Sequence, residues 1–129
     1  MIFVDSSFII SILLETDPNH IRAKNTWNNT PIEKLISENI LMEVLTVVSQ
    51  RKGRNFAIEA YHDISVDHKL FPVTTDRFQS GLKLFLNPKL QKDISLIDCI
   101  TAAICHELHI KHILSFDSHF RKFGLIPVP

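Results

Sequence analysis

The chain is poor in the features that would point to several common chemistries. It has only three glycines, Gly53, Gly81 and Gly124, in 129 residues, so no glycine-rich loop that cradles phosphate can be built. Its two cysteines, Cys99 and Cys105, lie six apart in what reads as one helix. Their side chains point in different directions there and cannot bridge, so both are expected as reduced core thiols. Neither sign of charge is in excess, since fourteen Lys plus Arg balance fourteen Asp plus Glu. That balance excludes a global basic field able to hold nucleic acid by charge alone, and any such contact must be local or helped by metal. Long apolar runs are missing too. Phe8 to Leu14 is interrupted by Ser11, Met1 to Val4 carries no basic residue and Asp5 splits the apolar segment, so neither a membrane span nor a signal peptide is expected. The protein is therefore expected in the cytoplasm.

What remains, 45% hydrophobic and 22% charged residues, suits one domain over residues 1–129 that buries roughly two thirds of its extended surface. Apolar runs bounded by turn residues predict strands at Ile2–Val4, Lys34–Ser37, Leu70–Val73, His112–Phe116 and Leu125–Val128. Helical spacing predicts Phe8–Leu14 behind the N-cap residues Ser6 and Ser7, Ile21–Asn28 with Trp27 as a core anchor, and Glu38–Gln50 with Leu41, Leu45 and Val48 on one face. Gly53 breaks that helix. Further helices are expected at Phe56–Ile64, Thr75–Leu86 and Leu96–Leu108, and a short turn or helix at Asp117–Phe123. Alternating strands and helices predict an α/β fold whose mostly parallel sheet is covered on both faces. Ligands of such sheets bind beyond the carboxyl ends of the strands, so polar residues just after strands matter most.

Four acids meet that condition. Asp5 follows the first strand, Glu43 lies one turn into the helix after the second, Asp98 begins the apolar helix and Asp117 follows the strand at 112–116. Carboxylates held together either raise one another's pKa or recruit a cation, and hard oxygen ligands select Mg²⁺ or Mn²⁺. Such an ion neutralises a phosphate, lowers the pKa of a bound water and stabilises a leaving oxygen, which suits phosphodiester hydrolysis. Each acid also has a plainer explanation. Asp5 and Asp98 can cap helices, Glu43 shares a polar stripe with Asn39, Thr46 and Gln50, and Asp117 suits a turn. The set of four carries the argument.

With these residues in place, Val4-Asp5-Ser6-Ser7, Met42-Glu43-Val44-Leu45, Ser95-Leu96-Ile97-Asp98-Cys99-Ile100-Thr101-Ala102-Ala103 and Leu114-Ser115-Phe116-Asp117-Ser118-His119-Phe120 resemble the PIN-domain nucleases. In size, order and spacing the chain is similar to the VapC-like ribonuclease toxins, from Met1 almost to Pro129. The resemblance implies a three-layer α/β/α PIN-like fold and a Mg²⁺- or Mn²⁺-dependent endoribonuclease. Its acidic ligands would fall on Asp5, Glu43, Asp98 and Asp117, with Ser6 and Ser115 as polar supports. It also implies a toxin–antitoxin pair, with a homodimer and an antitoxin covering the acidic groove. Ser115 stands where the family often has Thr, a mild departure. Asp93, five residues before Asp98, stays outside the site.

For RNA contacts, the densest basic cluster is Arg51, Lys52 and Arg54 around Gly53, although cations at a helix C-terminus are also favoured by the helix dipole. His119, beside Asp117, is either a further substrate contact or surface filler. His106, His109 and His112 lack zinc-protease spacing and straddle a helix end and a strand start. Two other readings remain: a PIN-like RNA-processing nuclease without a toxin role, and a receiver-like phosphoacceptor domain. The latter would need a second acid beside Asp5 and a Lys after a late strand, and neither is present.

Overall fold

A computed structural model describes all residues, 1–129. Its elements are β1 (Ile2–Val4), α1 (Ser6–Leu13), α2 (His20–Asn28), β2 (Lys34–Ser37), α3 (Glu38–Lys52), α4 (Arg54–Asp67), β3 (Lys69–Phe71), α5 (Thr75–Phe85), α6 (Leu96–Glu107), β4 (His112–Leu114), a 3₁₀ helix (Ser118–Phe123) and β5 (Ile126–Val128). The five strands form one sheet in the order β3-β2-β1-β4-β5, and every pairing is parallel. This is the expected α/β architecture, a parallel sheet between helical layers.

Apolarity decides which strand is central. Ile2, Phe3 and Val4 are buried along their whole length, as are Leu35 and Ile36 of β2 and Ile113 and Leu114 of β4. The edge strand β3 leaves Lys69 and Leu70 exposed. Pro127, which has no N–H to give a ladder, sits in the other edge strand, where proline is tolerated. From β1 the chain winds outward through β2 to β3, then returns to the far side for β4 and β5. The order therefore reverses between β1 and β4, where parallel sheets open a crevice at their carboxyl ends. Asp5 and Ser115 are the first residues past those two strands.

Several boundaries differ from expectation. Helix α1 starts at Ser6 rather than Phe8, because the Asp5 carbonyl already accepts the Phe8 and Ile9 N–H groups at 3.2 and 3.3 Å. Asp5, not Ser6 or Ser7, thus occupies the N-cap position. Helix α4 runs to both sides of its expected span, and β4 stops at Leu114, two residues early. On α3 the inward row is Ile40, Val44 and Val48, at four-residue spacing; Leu41 and Leu45 lie partly exposed beside it. Trp27 packs at the edge of the core, its ring 4.1 Å from Lys34 Nζ. Gly53 joins α3 to α4 at φ +90°, a backbone that favours glycine.

Helices α5 and α6 pack so closely that a Cβ added at Gly81 would lie 2.5 Å from Ile100 Cγ1 and 2.7 Å from Ile100 Cα. Cys99 and Cys105 are buried and unbridged, and burial pushes the Cys105 thiol up to about 12, so it remains protonated. No helix is long and apolar enough to cross a membrane.

Candidate metal centre at the sheet switch point

Asp5 is brought to the crevice by β1 and is 2% exposed. Although it stands at the N-cap of α1, its side chain makes no capping bond. It turns instead across the crevice, where Oδ2 accepts hydrogen bonds from Ser7 Oγ at 2.8 Å and Ser115 Oγ at 2.9 Å. Oδ1 has no partner within the chain. Ser115 Oγ in turn accepts the Asp117 N–H at 3.0 Å. One hydroxyl therefore ties the acid after β1 to the acid after β4.

Burial is the largest influence on Asp5 and raises its pKa. The two serine hydroxyls favour the carboxylate and pull the pKa back, while the charges of Asp117 and Asp98 raise it again, leaving it at about 7. Asp98 is held differently. Its Oδ2 accepts the Ser95 N–H at 2.9 Å while Ser95 Oγ accepts the Asp98 N–H at 3.1 Å, a reciprocal capping box at the start of α6. The capping explanation for Asp98 is thus observed, and it coexists with a place in the acidic cluster. His119 Nε2 lies 3.0 Å from Asp98 Oδ2 but off hydrogen-bond geometry, so that contact is one of charge when the ring is protonated.

Of the other three expected acids, Asp98 and Asp117 lie close enough to Asp5 for their charges to raise its pKa. Glu43 is half-buried one turn into α3 and is not among the charges that move Asp5. No three ligating side chains already form a coordination shell. The donors nevertheless fit a hard divalent cation. Asp5 has a free oxygen, the Asp117 carboxylate has no hydrogen bond in the chain, and a buried carboxylate facing two others gains most from added positive charge.

The supporting hydroxyl on the helix is Ser7. Ser6, expected in that role, is buried and makes no side-chain hydrogen bond. The physical reason is the early start of α1. With Ser6 already helical, successive side chains turn by about 100° and only the second faces back toward Asp5.

Arg51, Lys52 and Arg54 are exposed and lie away from this cluster. Lys52 borders a cavity with Leu13 to Thr16, at the end of α1 opposite Asp5, and Arg54 borders a groove between α3 and α4 with Leu45 and Tyr61. Among the histidines, His106 Nε2 donates to the Phe123 carbonyl at 2.8 Å, while His109 and His112 are exposed.

The family described as PIN domain matches the chain over residues 2–125. The 23S rRNA-specific endonuclease VapC20 of Mycobacterium tuberculosis is 26% identical over 129 residues, covering 99% of this chain and 98% of its own. The crystal structure of that protein, described as a Sarcin-Ricin loop cleaving toxin, superposes with a TM-score of 0.91 over the same shares of the two chains. A toxin–antitoxin complex from Klebsiella pneumoniae shares the fold at TM-score 0.74 and 17% identity, with 98% and 96% of the chains covered.

Proposed function

The chain belongs to the PIN-domain family, and from that membership we propose that it is a metal-dependent endoribonuclease, the toxin of a toxin–antitoxin pair. The observation that supports this reading is Asp5, buried at the switch point, sharing Ser115 with Asp117 and pushed up to about 7 by burial and by the charges of Asp117 and Asp98. A buried carboxyl in this position is either protonated or stabilised as the anion by a nearby cation. Asp5, Asp98 and Asp117 would hold Mg²⁺ or Mn²⁺, with Glu43 as the fourth acid from α3. When bound, such an ion neutralises phosphate charge and lowers the pKa of water.

The chain's own groups supply position. Ser7 and Ser115 fix Asp5 by one oxygen and leave the other toward the crevice. Ser95 fixes Asp98 through the first turn of α6. His119, against Asp98, is a substrate contact in this reading. RNA is the substrate class carried over from the mycobacterial relative; its rRNA specificity remains that protein's own. An antitoxin is the partner, and the exposed Met42, Ile58 and Tyr61 on α3 and α4 supply apolar surface for association, including a homodimer.

The test is cleavage of RNA by the purified chain with Mn²⁺ and with chelator, beside Asp5→Asn and Asp98→Asn. Each substitution is expected to lower the rate by at least about a hundredfold. Unchanged cleavage by both variants, or cleavage indifferent to chelator, overturns the proposal.

A further inference from the structure

A second feature is linked to the acidic crevice through Ser115 and Phe116. Helix α2 and the two residues after it present Arg22, Asn25, Thr26, Asn29 and Thr30 along one face, at three- and four-residue spacing. This face forms one wall of an open groove of about 610 Å³, and Val128 and Pro129 at the end of β5 form the other. The groove shares structure with the acid cluster at two points. The Ser115 N–H donates to the Val128 carbonyl at 3.0 Å, and Ser115 Oγ holds Asp5. Arg22 Cζ stands 5.8 Å from the centre of the Phe116 ring, next to Asp117.

The chemistry of the lining is selective. It contains no acidic side chain, and Arg22 is exposed with no side-chain carboxylate partner. The Asn25 and Asn29 amides are exposed and make no side-chain hydrogen bond within the chain, so each retains donors and an acceptor. Thr26 and Thr30 already donate their hydroxyl protons to the Arg22 and Thr26 carbonyls at 2.9 and 2.7 Å. What these hydroxyls offer a ligand is therefore acceptor lone pairs, suited to 2′-hydroxyl or exocyclic amino donors. From Arg22 to Asn29 the face extends about 10 Å, the rise of about three stacked nucleotides.

We propose that this groove holds the single-stranded RNA that flanks the scissile bond, with Arg22 on a phosphate, Asn25 and Asn29 on base edges, and the threonine hydroxyls on ribose. This rests on the nuclease reading above and deepens it by assigning a specificity surface. Arg22 supplies the attraction that draws a polyanion toward a rim otherwise lined by carboxylates. The amides distinguish one base from another, which phosphate contacts cannot do.

The experiment measures binding separately from cleavage. In the Asp5→Asn chain with Mg²⁺, affinity for a short fluorescein-labelled single-stranded RNA is read by anisotropy across a salt series. Asn25→Ala with Asn29→Ala is expected to weaken binding roughly tenfold without changing the salt slope. Arg22→Gln is expected to weaken it and to flatten the slope by about 0.7. DNA of the same sequence is expected to bind more weakly than RNA, a preference narrowed by Thr26→Val with Thr30→Val. RNA affinity unchanged in all three variants overturns the proposal, as does a loss produced only by Arg51→Ala with Lys52→Ala. If the unmodified chain cleaves RNA and the groove variants bind it normally, the groove assignment fails and the nuclease reading stands. If the unmodified chain does not cleave but the groove variants lose RNA, the reverse holds, and absence of RNA binding by the parent overturns both.

Discussion

Two neighbouring strands each carry one buried charge, at opposite ends of the sheet, and the fold treats them in opposite ways. At the start of β2, beside Ile2, Lys34 is buried but fully occupied. Its ammonium donates to the Thr30 carbonyl at 2.6 Å and the Ile32 carbonyl at 3.3 Å, and it lies 4.1 Å from the centre of the Trp27 ring. Burial lowers its pKa, and the nearby Asp67 opposes that shift. At the end of β1, Asp5 has hydrogen bonds on one oxygen only and two like charges for company. The cation is a structural part with its partners built in. The anion is left in need of one, which separates a site that has to bind something from one that only has to hold together.

The comparison can be broken most directly at Asp5. Its pKa in the folded protein, about 7, stands above the ordinary 3.8. Between those values the folded chain keeps a proton that the unfolded chain has lost, so its stability falls as pH rises through that window, by at most roughly 4 kcal/mol above pH 7. Asp5→Asn removes this penalty. Without divalent metal the variant is expected to melt well above the parent at pH 8, with the gap narrowing toward pH 5. Calorimetry at the two pH values checks this, and a variant less stable than the parent at pH 8 contradicts it.

At the other end of the sheet the sign reverses. Lys34→Ala strips the Trp27 ring and two carbonyls of their partner and is expected to cost about 1–3 kcal/mol in urea unfolding, while the folded variant still cleaves RNA. Equal stability would mean that the ammonium gains nothing from its setting. The smallest expected effect sharpens the contrast within the site. Ser115→Ala removes one of the two hydroxyls that favour ionised Asp5, so Asp5 moves further up and the acidic limb of the cleavage profile shifts to higher pH, with a stability change of about 1 kcal/mol. A pH–rate profile that does not move would show that Ser115 does not act through Asp5.

Much of this was legible in the sequence because it depends on local pattern. The five apolar runs and the turn residues between them place the strands to within about two residues, and Asp5, Asp98 and Asp117 are visible as polar residues at strand or helix ends, whereas Ser115 enters only through the family resemblance. What was not legible depends on three-dimensional phase. The choice of Ser7 over Ser6 follows from the residue at which α1 begins, and the inward row Ile40, Val44 and Val48 from the angle at which α3 meets the sheet. Glu43 was named from spacing, which cannot say how near its helix brings it to Asp5. The face of α2 is not legible in the sequence, because Arg22, Asn25 and Asn29 resemble any solvated helix until the end of β5 is set against them. Basic density singles out Arg51, Lys52 and Arg54, but the fold sets Lys52 at the far end of α1 and Arg54 beside the groove between α3 and α4.

The capping box at Ser95 and Asp98 bears on how distant kin should be judged. A descendant that abandoned RNA chemistry would still profit from an acid at position 98, because the first turn of α6 depends on it. Nothing architectural favours an acid at position 5, where an ionised side chain weakens the fold. In lineages that drift, the aspartate after the first strand should vanish soon after the chemistry does, while the one heading α6 lingers as a relic. Its presence alone is then poor testimony that a homologue is alive as an enzyme.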